Sequence, residues 1–271
     1  MGVCGRLALI EINWGWGGCG RVFFANFASE CNFSAMTPTG TLYLFPVPLS
    51  ESPVADVLPA RNIALLKSVR HFIVENVRSA RRFLRSCDST FPIDESSFVE
   101  LNRHTRAEEI DSFIAPLLEG HDVGVISEAG CPAIADPGAD VVAIAQRRGI
   151  RVVPLVGPSS ILMSLMASGF NGQSFAFQGY LPIDAGERQR KLKWMETAIA
   201  RDSQTQIFIE TPYRNNKLIE ELARLLPPSL RLCVASGITS EQESIVTRTI
   251  GQWRQAKYDY NKIPTIFLLY K

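Results

Sequence analysis

The chain has 271 residues, with 28 lysines and arginines against 27 aspartates and glutamates. Its net charge of +1 gives no global attraction to a polyanion. It is 46% hydrophobic and 20% charged, an ordinary balance for one large or two modest globular domains, and no apolar run approaches the ~20 residues of a membrane helix. The six cysteines form no CxxC pair and the three histidines (His71, His104, His121) are scattered. That argues against a metal site and for a reducing, cytoplasmic compartment.

Residues 1–39 differ from the rest. Trp14, Gly15, Trp16, Gly17, Gly18 and Cys19 crowd together without a helix or strand period, and half the cysteines lie here. Glu11 interrupts the early apolar run that a secretory signal would need. The stretch is expected to be a non-native or disordered N-terminal extension, with the functional protein starting near Met36.

Regular patterning begins at Thr41. Residues 41–46 (TLYLFP) read as a buried strand, 71–75 (HFIVE) as a second, and 76–86 as a helix. Residues 107–118 form one amphipathic helix with Ile110, Phe113, Ile114, Leu117 and Leu118 on a face and Gly120 as its C-cap. Residues 122–127 are a third strand. Asp136 then resembles an N-cap, Pro137 a first-turn proline and Gly149 a C-cap, and 151–155 is the next strand. The interval 122–155 is therefore a βαβ unit, with its two strands expected side by side and parallel. Ser159 or Ser160 caps a helix that ends before Gly169. Beyond the Asn171-Gly172 turn, strands are expected at 174–178, 204–210, 231–235, 244–249 and 265–270, and helices at 187–200 and 212–226. The fold class is α/β, as two α/β domains, 40–170 and 171–271, with a cleft between them.

The chemistry concentrates in the loop SEAGCPAIADPG (127–138) and the turn PLVGPSS (154–160). Each follows a strand, where open α/β sheets bind ligands. Glycines open backbone angles and prolines stiffen the rest, so the site is built from backbone. Neither GxGxxG nor GxxxxGK[ST] occurs, and the first loop has no lysine to meet a phosphate. A neutral or zwitterionic ligand fits better.

Arg78, Arg81, Arg82 and Arg85 recur at helical spacing and form a positive stripe that an anionic partner would relieve. ERQRKLK (187–193), with Arg188 and Lys191, adds a second basic cluster. Both suit RNA phosphates, and both also suit a solvated helix face.

Seven segments in register carry a resemblance: LYLFPVP, ENVR (75–78), LNRHT (101–105), SEAGCPAIADPG, PLVGPSS, FAFQGYLP (175–182) and IFIETPYR (207–214). Over about residues 40–271 the chain resembles the tetrapyrrole methylase superfamily, nearest the branch that methylates small-subunit ribosomal RNA. The resemblance implies the tetrapyrrole methylase fold, a homodimer, and S-adenosylmethionine in the cleft between the two α/β domains. Carried over by motif, Leu49, Gly130, Cys131, Ile134, Ser159 and Ser160 of the first half, and Thr211, Ala235 and Thr265 of the second, hold the cofactor. RNA or a ribosomal subunit is the implied partner, with Arg103 joining the basic residues above.

Glu75 and His104 are the candidates for taking a proton from a ribose hydroxyl; alignment in a water-poor cleft is the alternative source of rate. The chain departs from the pattern where PTPIGN reads PVPLSE (46–51) and EDTR reads ENVR. An arginine–glutamate pair reads Ser236-Gly237, and a glycine–glutamate pair reads Ile263-Pro264. The expected activity is methyl transfer, with a ribose 2′-oxygen of small-subunit ribosomal RNA as acceptor. The alternatives are a tetrapyrrole or other small-molecule acceptor, and a non-catalytic binding or interaction protein.

Overall fold

The computed structural model describes residues 39–102 and 105–271. The expected extension, Arg103 and His104 lie outside the described residues. Both sheets described below belong to one compact unit, Thr37–Lys271.

The first half runs β1 (Leu42–Phe45), α1 (Val54–Val57), α2 (Ala60–Leu66), β2 (His71–Val74), α3 (Val77–Cys87), β3 (Ser97–Glu100), α4 (Ala107–Phe113), α5 (Ala115–Leu118), β4 (Val123–Ile126), α6 (Gly138–Arg147), β5 (Val152–Pro154) and α7 (Ser160–Ser168). The five strands form a parallel sheet in the order β3-β2-β4-β1-β5. Such a sheet is covered on both faces, so its central strands are apolar throughout, as VGVI of β4 is. Gly124 in the middle of β4 leaves room for two rings: an added Cβ would stand 3.0 Å from both Phe45 and Phe72.

The strands 122–127 and 151–155 are not neighbours. β1 lies between them, with Leu42 opposite both Val123 and Val152. The crossover through α6 therefore passes over β1, an arrangement that the βαβ pattern alone does not distinguish from direct pairing. β3 (SFVE) is an edge strand with only half-buried apolar residues, so it carries no periodicity to find. The helix expected over 107–118 breaks at Ile114, because Pro116 supplies no N–H and crowds the preceding turn. Asn76 caps α3, its Oδ1 accepting from the N–H groups of Arg78 and Ser79.

The second half runs β6 (Phe175–Tyr180), α8 (Ala185–Asp202), β7 (Thr205–Ile209), a 3₁₀ turn (Pro212–Arg214), α9 (Asn215–Leu225), β8 (Arg231–Ser236), β9 (Ser244–Thr249), α10 (Ile250–Trp253) and β10 (Thr265–Tyr270). Its sheet is mixed, in the order β6-β7-β10-β8-β9, with only β6 and β7 parallel. One face is covered by α8, α9 and Trp253. The other is covered by α7, whose Leu165 packs with Ile207, Cys233, Ile266 and Leu268. Thr247 Oγ1 donates to Ser168 O at 2.9 Å, fastening the end of α7 to β9.

Candidate functional site

The strand order locates the site. β1 passes the chain toward β2 and β4 passes it toward β5, in opposite directions along the sheet. Their helices accordingly cover opposite faces: α2 packs with Phe45 and Phe72, whereas α6 packs with Val123 and Val125. Such a topological switch point, here outside the carboxyl ends of β1 and β4, is where open α/β sheets form a ligand crevice.

Three segments meet in this crevice. Val47 and Gly130 exchange two backbone hydrogen bonds of 2.9 Å, joining the end of β1 to the loop after β4. The Cys131 thiol donates to Pro158 O at 3.5 Å, joining that loop to the turn before α7. Burial pushes the Cys131 thiol up, so it stays protonated and able to donate. Gly130 is cradled: its φ is +74°, and an added Cβ would meet Leu49 Cδ2 at 3.2 Å and Pro158 O at 3.7 Å. Ser159 is the N-cap of α7, its Oγ accepting from Leu162 N at 3.4 Å, and Ser160 is the first helical residue. Ile134 stands exposed on the rim.

Asp136 braces the loop. Its carboxylate accepts from Ala133 N at 2.9 and 3.0 Å and from Gly138 N at 2.7 Å. The helix starts at Gly138, with Pro137 in the N-cap position, one residue later than the sequence suggested. Ala133 and Ala135 are held at φ +65° and +63°, strained for a residue with a Cβ. Burial raises the Asp136 pKa, and the two backbone donors work against that rise. A small space of about 10 Å³ between Glu75, Ser127 and Asp136 brings the ends of β2 and β4 together. Ser127 Oγ is buried there and has no hydrogen-bond partner among the described residues.

Leu49 packs against the inner face of the second sheet, with Ala235 and Ile266. Beyond it, Ser52 Oγ donates to Thr239 O at 2.7 Å, and the hydroxyls of Ser50 and Thr239 are 3.0 Å apart. Ser50 of the altered PVPLSE segment and Ser52 just beyond it thus tie the β1 loop to the β8–β9 hairpin. The departures Ser236-Gly237 and Ile263-Pro264 also meet: Gly237 N donates to Pro264 O at 2.9 Å, and the hydroxyls of Ser236 and Thr265 are 2.9 Å apart. Asn215 Nδ2 donates to Thr265 Oγ1 at 3.0 Å, so this corner is a buried neutral network. Ala235 and Thr265 are both buried, whereas Thr211 is exposed beside Glu210, whose Oε1 accepts from Thr211 N.

The basic residues separate into two kinds. Arg78, Arg81, Arg82 and Arg85 are exposed on α3; Arg81 lies over the Phe98 ring at 5.2 Å and Arg85 donates to Ser89 O. Arg188 is only 8% exposed and is bound to Glu221 at 3.1 Å, so it is committed to the fold. Lys191 donates to Gln178 Oε1 at 2.6 Å and lies over Trp194.

Asp136 as a brace, Ser127, and the Ser50–Ser52–Thr239 tie were not anticipated as site features. Only Asp136 left a signal, as a cap. Among the described residues no group of three or more His, Cys, Asp or Glu could hold a metal ion.

The tetrapyrrole (corrin/porphyrin) methylases match residues 55–253. The chain belongs to the tetrapyrrole methylase family. Among its relatives, the ribosomal RNA small subunit methyltransferase I of Neisseria meningitidis serogroup B is 30% identical over 218 residues, 80% of this chain and 70% of that protein. The protein of the same name from Vibrio cholerae is 32% identical over 208 residues, covering 77% and 69%. Two solved family structures share the fold. The methyltransferase CobJ has a TM-score of 0.57 at 14% identity, covering 87% of this chain and 95% of its own. Uroporphyrin-III C-methyltransferase from Thermus thermophilus, complexed with S-adenosylhomocysteine, has a TM-score of 0.52 at 17% identity, covering 86% and 98%.

As a member of the tetrapyrrole methylase family the chain is an S-adenosylmethionine-dependent methyltransferase. The crevice suits that cofactor. Gly130 has no Cβ to fill its cradle, and the loop 127–138 and the turn 154–160 offer backbone and hydroxyl groups without a lysine or arginine, which fits a ligand that brings its own positive sulfur.

Proposed function

We propose that this methyltransferase acts on RNA, with a ribose 2′-oxygen of small-subunit ribosomal RNA as acceptor. The observation that carries the reading is the pair of relatives at 30% and 32% identity, both named for small-subunit ribosomal RNA, against 15–18% for structures named for precorrin-4 and uroporphyrin-III methylation. The exposed α3 stripe supports it. Arg78 and Arg82 project a charge that no carboxylate among the described residues neutralises.

Gly130, Cys131, Ile134, Ser159 and Ser160 would hold the cofactor, with Leu49 closing over Gly130 and Thr211, Ala235 and Thr265 facing from the second sheet. When bound, the cofactor supplies an electrophilic methyl group. The chain's part would be to align the acceptor and exclude water, with Glu75, just after β2, as the candidate to take the hydroxyl proton. Arg188 is left out of the substrate surface because Glu221 holds it; Arg78, Arg81, Arg82, Arg85 and Lys191 remain.

The protein would work as a cytoplasmic homodimer. Val156 (74% exposed), in the turn before α7, and Met166 (82%), on α7, are apolar residues that a second copy would cover. Cys87, Cys131 and Cys233 are free thiols, and no helix of the described residues is long and apolar enough to cross a membrane.

RNA affinity as a function of salt tests the acceptor class. Affinity should fall steeply with salt, and Arg78→Glu with Arg82→Glu should flatten the slope by about two. Weak binding with no salt dependence would overturn the RNA reading.

A further inference from the structure

Two motifs have aromatic residues that the cleft does not use. FAFQGYLP ends β6 at Tyr180, and IFIETPYR leads from β7 into the 3₁₀ turn that carries Tyr213. β6 and β7 are parallel with Tyr180 opposite Ile209, so both tyrosines leave the second sheet at the carboxyl end of these strands. They are 56% and 76% exposed, unusual for large aromatic side chains.

Both are presented by braced backbone. The β6–β7 register shifts between Phe177 and Tyr180, where Gly179 adopts φ +66° with open space around its Cβ position. A bulge of this kind bends the strand and re-aims the next side chain. The Tyr213 turn is fixed by Arg214 N donating to Thr211 O and by Lys262 N donating to Pro212 O, each at 2.9 Å. Rings held out on fixed backbone offer stacking faces with little ordering left to do on binding.

The surrounding charge is positive. Lys191 is anchored to Gln178, two residues before Tyr180, and the exposed Lys262 side chain follows the Tyr213 turn. Three nearby carboxylates are engaged: Glu210 faces Arg214 at 3.4 Å, Asp184 caps α8 by accepting from Glu187 N, and Asp259, close enough to feel the Lys262 charge, accepts from Asn216 Nδ2 at 3.0 Å. Exposed aromatic faces interleaved with ammonium groups are the chemistry that binds single-stranded nucleic acid.

We propose that Tyr180 and Tyr213 are stacking posts for unpaired bases of the RNA substrate, with Lys191 and Lys262 meeting the phosphodiesters beside them. This rests on the RNA reading above and adds to it the recognition of bases rather than of backbone charge alone. A single-stranded RNA carrying 2-aminopurine is the probe. The wild-type protein should quench its fluorescence on binding. Tyr180→Ala and Tyr213→Ala should each lose quenching and weaken RNA binding about tenfold, the scale of one base stacked on an aromatic ring. Tyr180→Phe and Tyr213→Phe should keep both, and S-adenosylhomocysteine affinity should be unchanged in all four.

If the wild type methylates RNA while the double alanine variant binds and quenches normally, the stacking proposal is overturned and the RNA reading stands. If the wild type binds no RNA, both fall together. Loss of a dimer in the alanine variants with RNA binding intact would also overturn it, assigning this edge to a second copy.

Discussion

Replacing Asp136 by alanine removes a carboxylate that braces the loop after β4 in its strained form. Its carboxylate accepts from Ala133 N and Gly138 N. Hydrogen bonds to a charged group contribute about 1.5–3 kcal/mol each, so two amount to roughly 3–6 kcal/mol. Part of this returns when Ala133 and Ala135 relax from φ +65° and +63°, each held at a cost of about 1–2 kcal/mol. The net loss should be about 2 kcal/mol, a fall in Tm of roughly 4–8 °C for a domain of this size. The relaxed loop also releases Cys131 and Ile134, so S-adenosylhomocysteine should bind at least tenfold more weakly by calorimetry. Asp136→Asn, which keeps one acceptor, should fall between. A Tm within 1 °C of wild type together with unchanged affinity would refute the assignment of Asp136 as the brace.

Other consequences can be checked separately. Removing the tie in Ser50→Ala/Ser52→Ala deletes the hydrogen bonds to Thr239, worth about 1–2 kcal/mol, and should speed S-adenosylhomocysteine release fivefold or more in stopped flow; an unchanged rate would dismiss the tie. Arg188→Ala strands the buried Glu221 carboxylate and should cost about 3–5 kcal/mol in denaturant unfolding, whereas Arg82→Ala should stay within about 0.5 kcal/mol yet weaken RNA binding. Burial, then repulsion from His121, lowers the His71 pKa. The folded state therefore refuses a proton that the unfolded chain accepts, and stability should fall as pH drops below the usual histidine value of about 6.5. His71→Gln should flatten that limb, and an unaltered pH profile would rule His71 out as its source.

The parts of the fold legible in the sequence are those whose signal is local. β4 shows as an unbroken apolar run, α3 as a helix behind Asn76, and the loop after β4 as glycines and prolines that only a special backbone path requires. What sequence spacing cannot carry is which strand lies beside which. The insertion of β1 between β4 and β5 changes the site from two adjacent loops to a switch-point crevice floored by Val47 and Gly130. Charge patterning has the same limit. Arg188 and Arg82 look alike in a basic heptad, but Arg188 turns inward because Glu221 on α9 stands opposite it. The segments PVPLSE, Ser236-Gly237 and Ile263-Pro264 read singly as losses from the family pattern. In the fold, their hydroxyl and backbone groups bond Ser50 to Thr239, Ser236 to Thr265, and Gly237 to Pro264.

The most direct test of the account is transfer of tritium from methyl-labelled S-adenosylmethionine to small ribosomal subunits from a strain lacking this protein, compared with a tetrapyrrole acceptor. Label should appear in the RNA, retained at a 2′-O-methylated nucleoside after complete digestion, and none in the tetrapyrrole. Label in the tetrapyrrole with unlabelled RNA would contradict it.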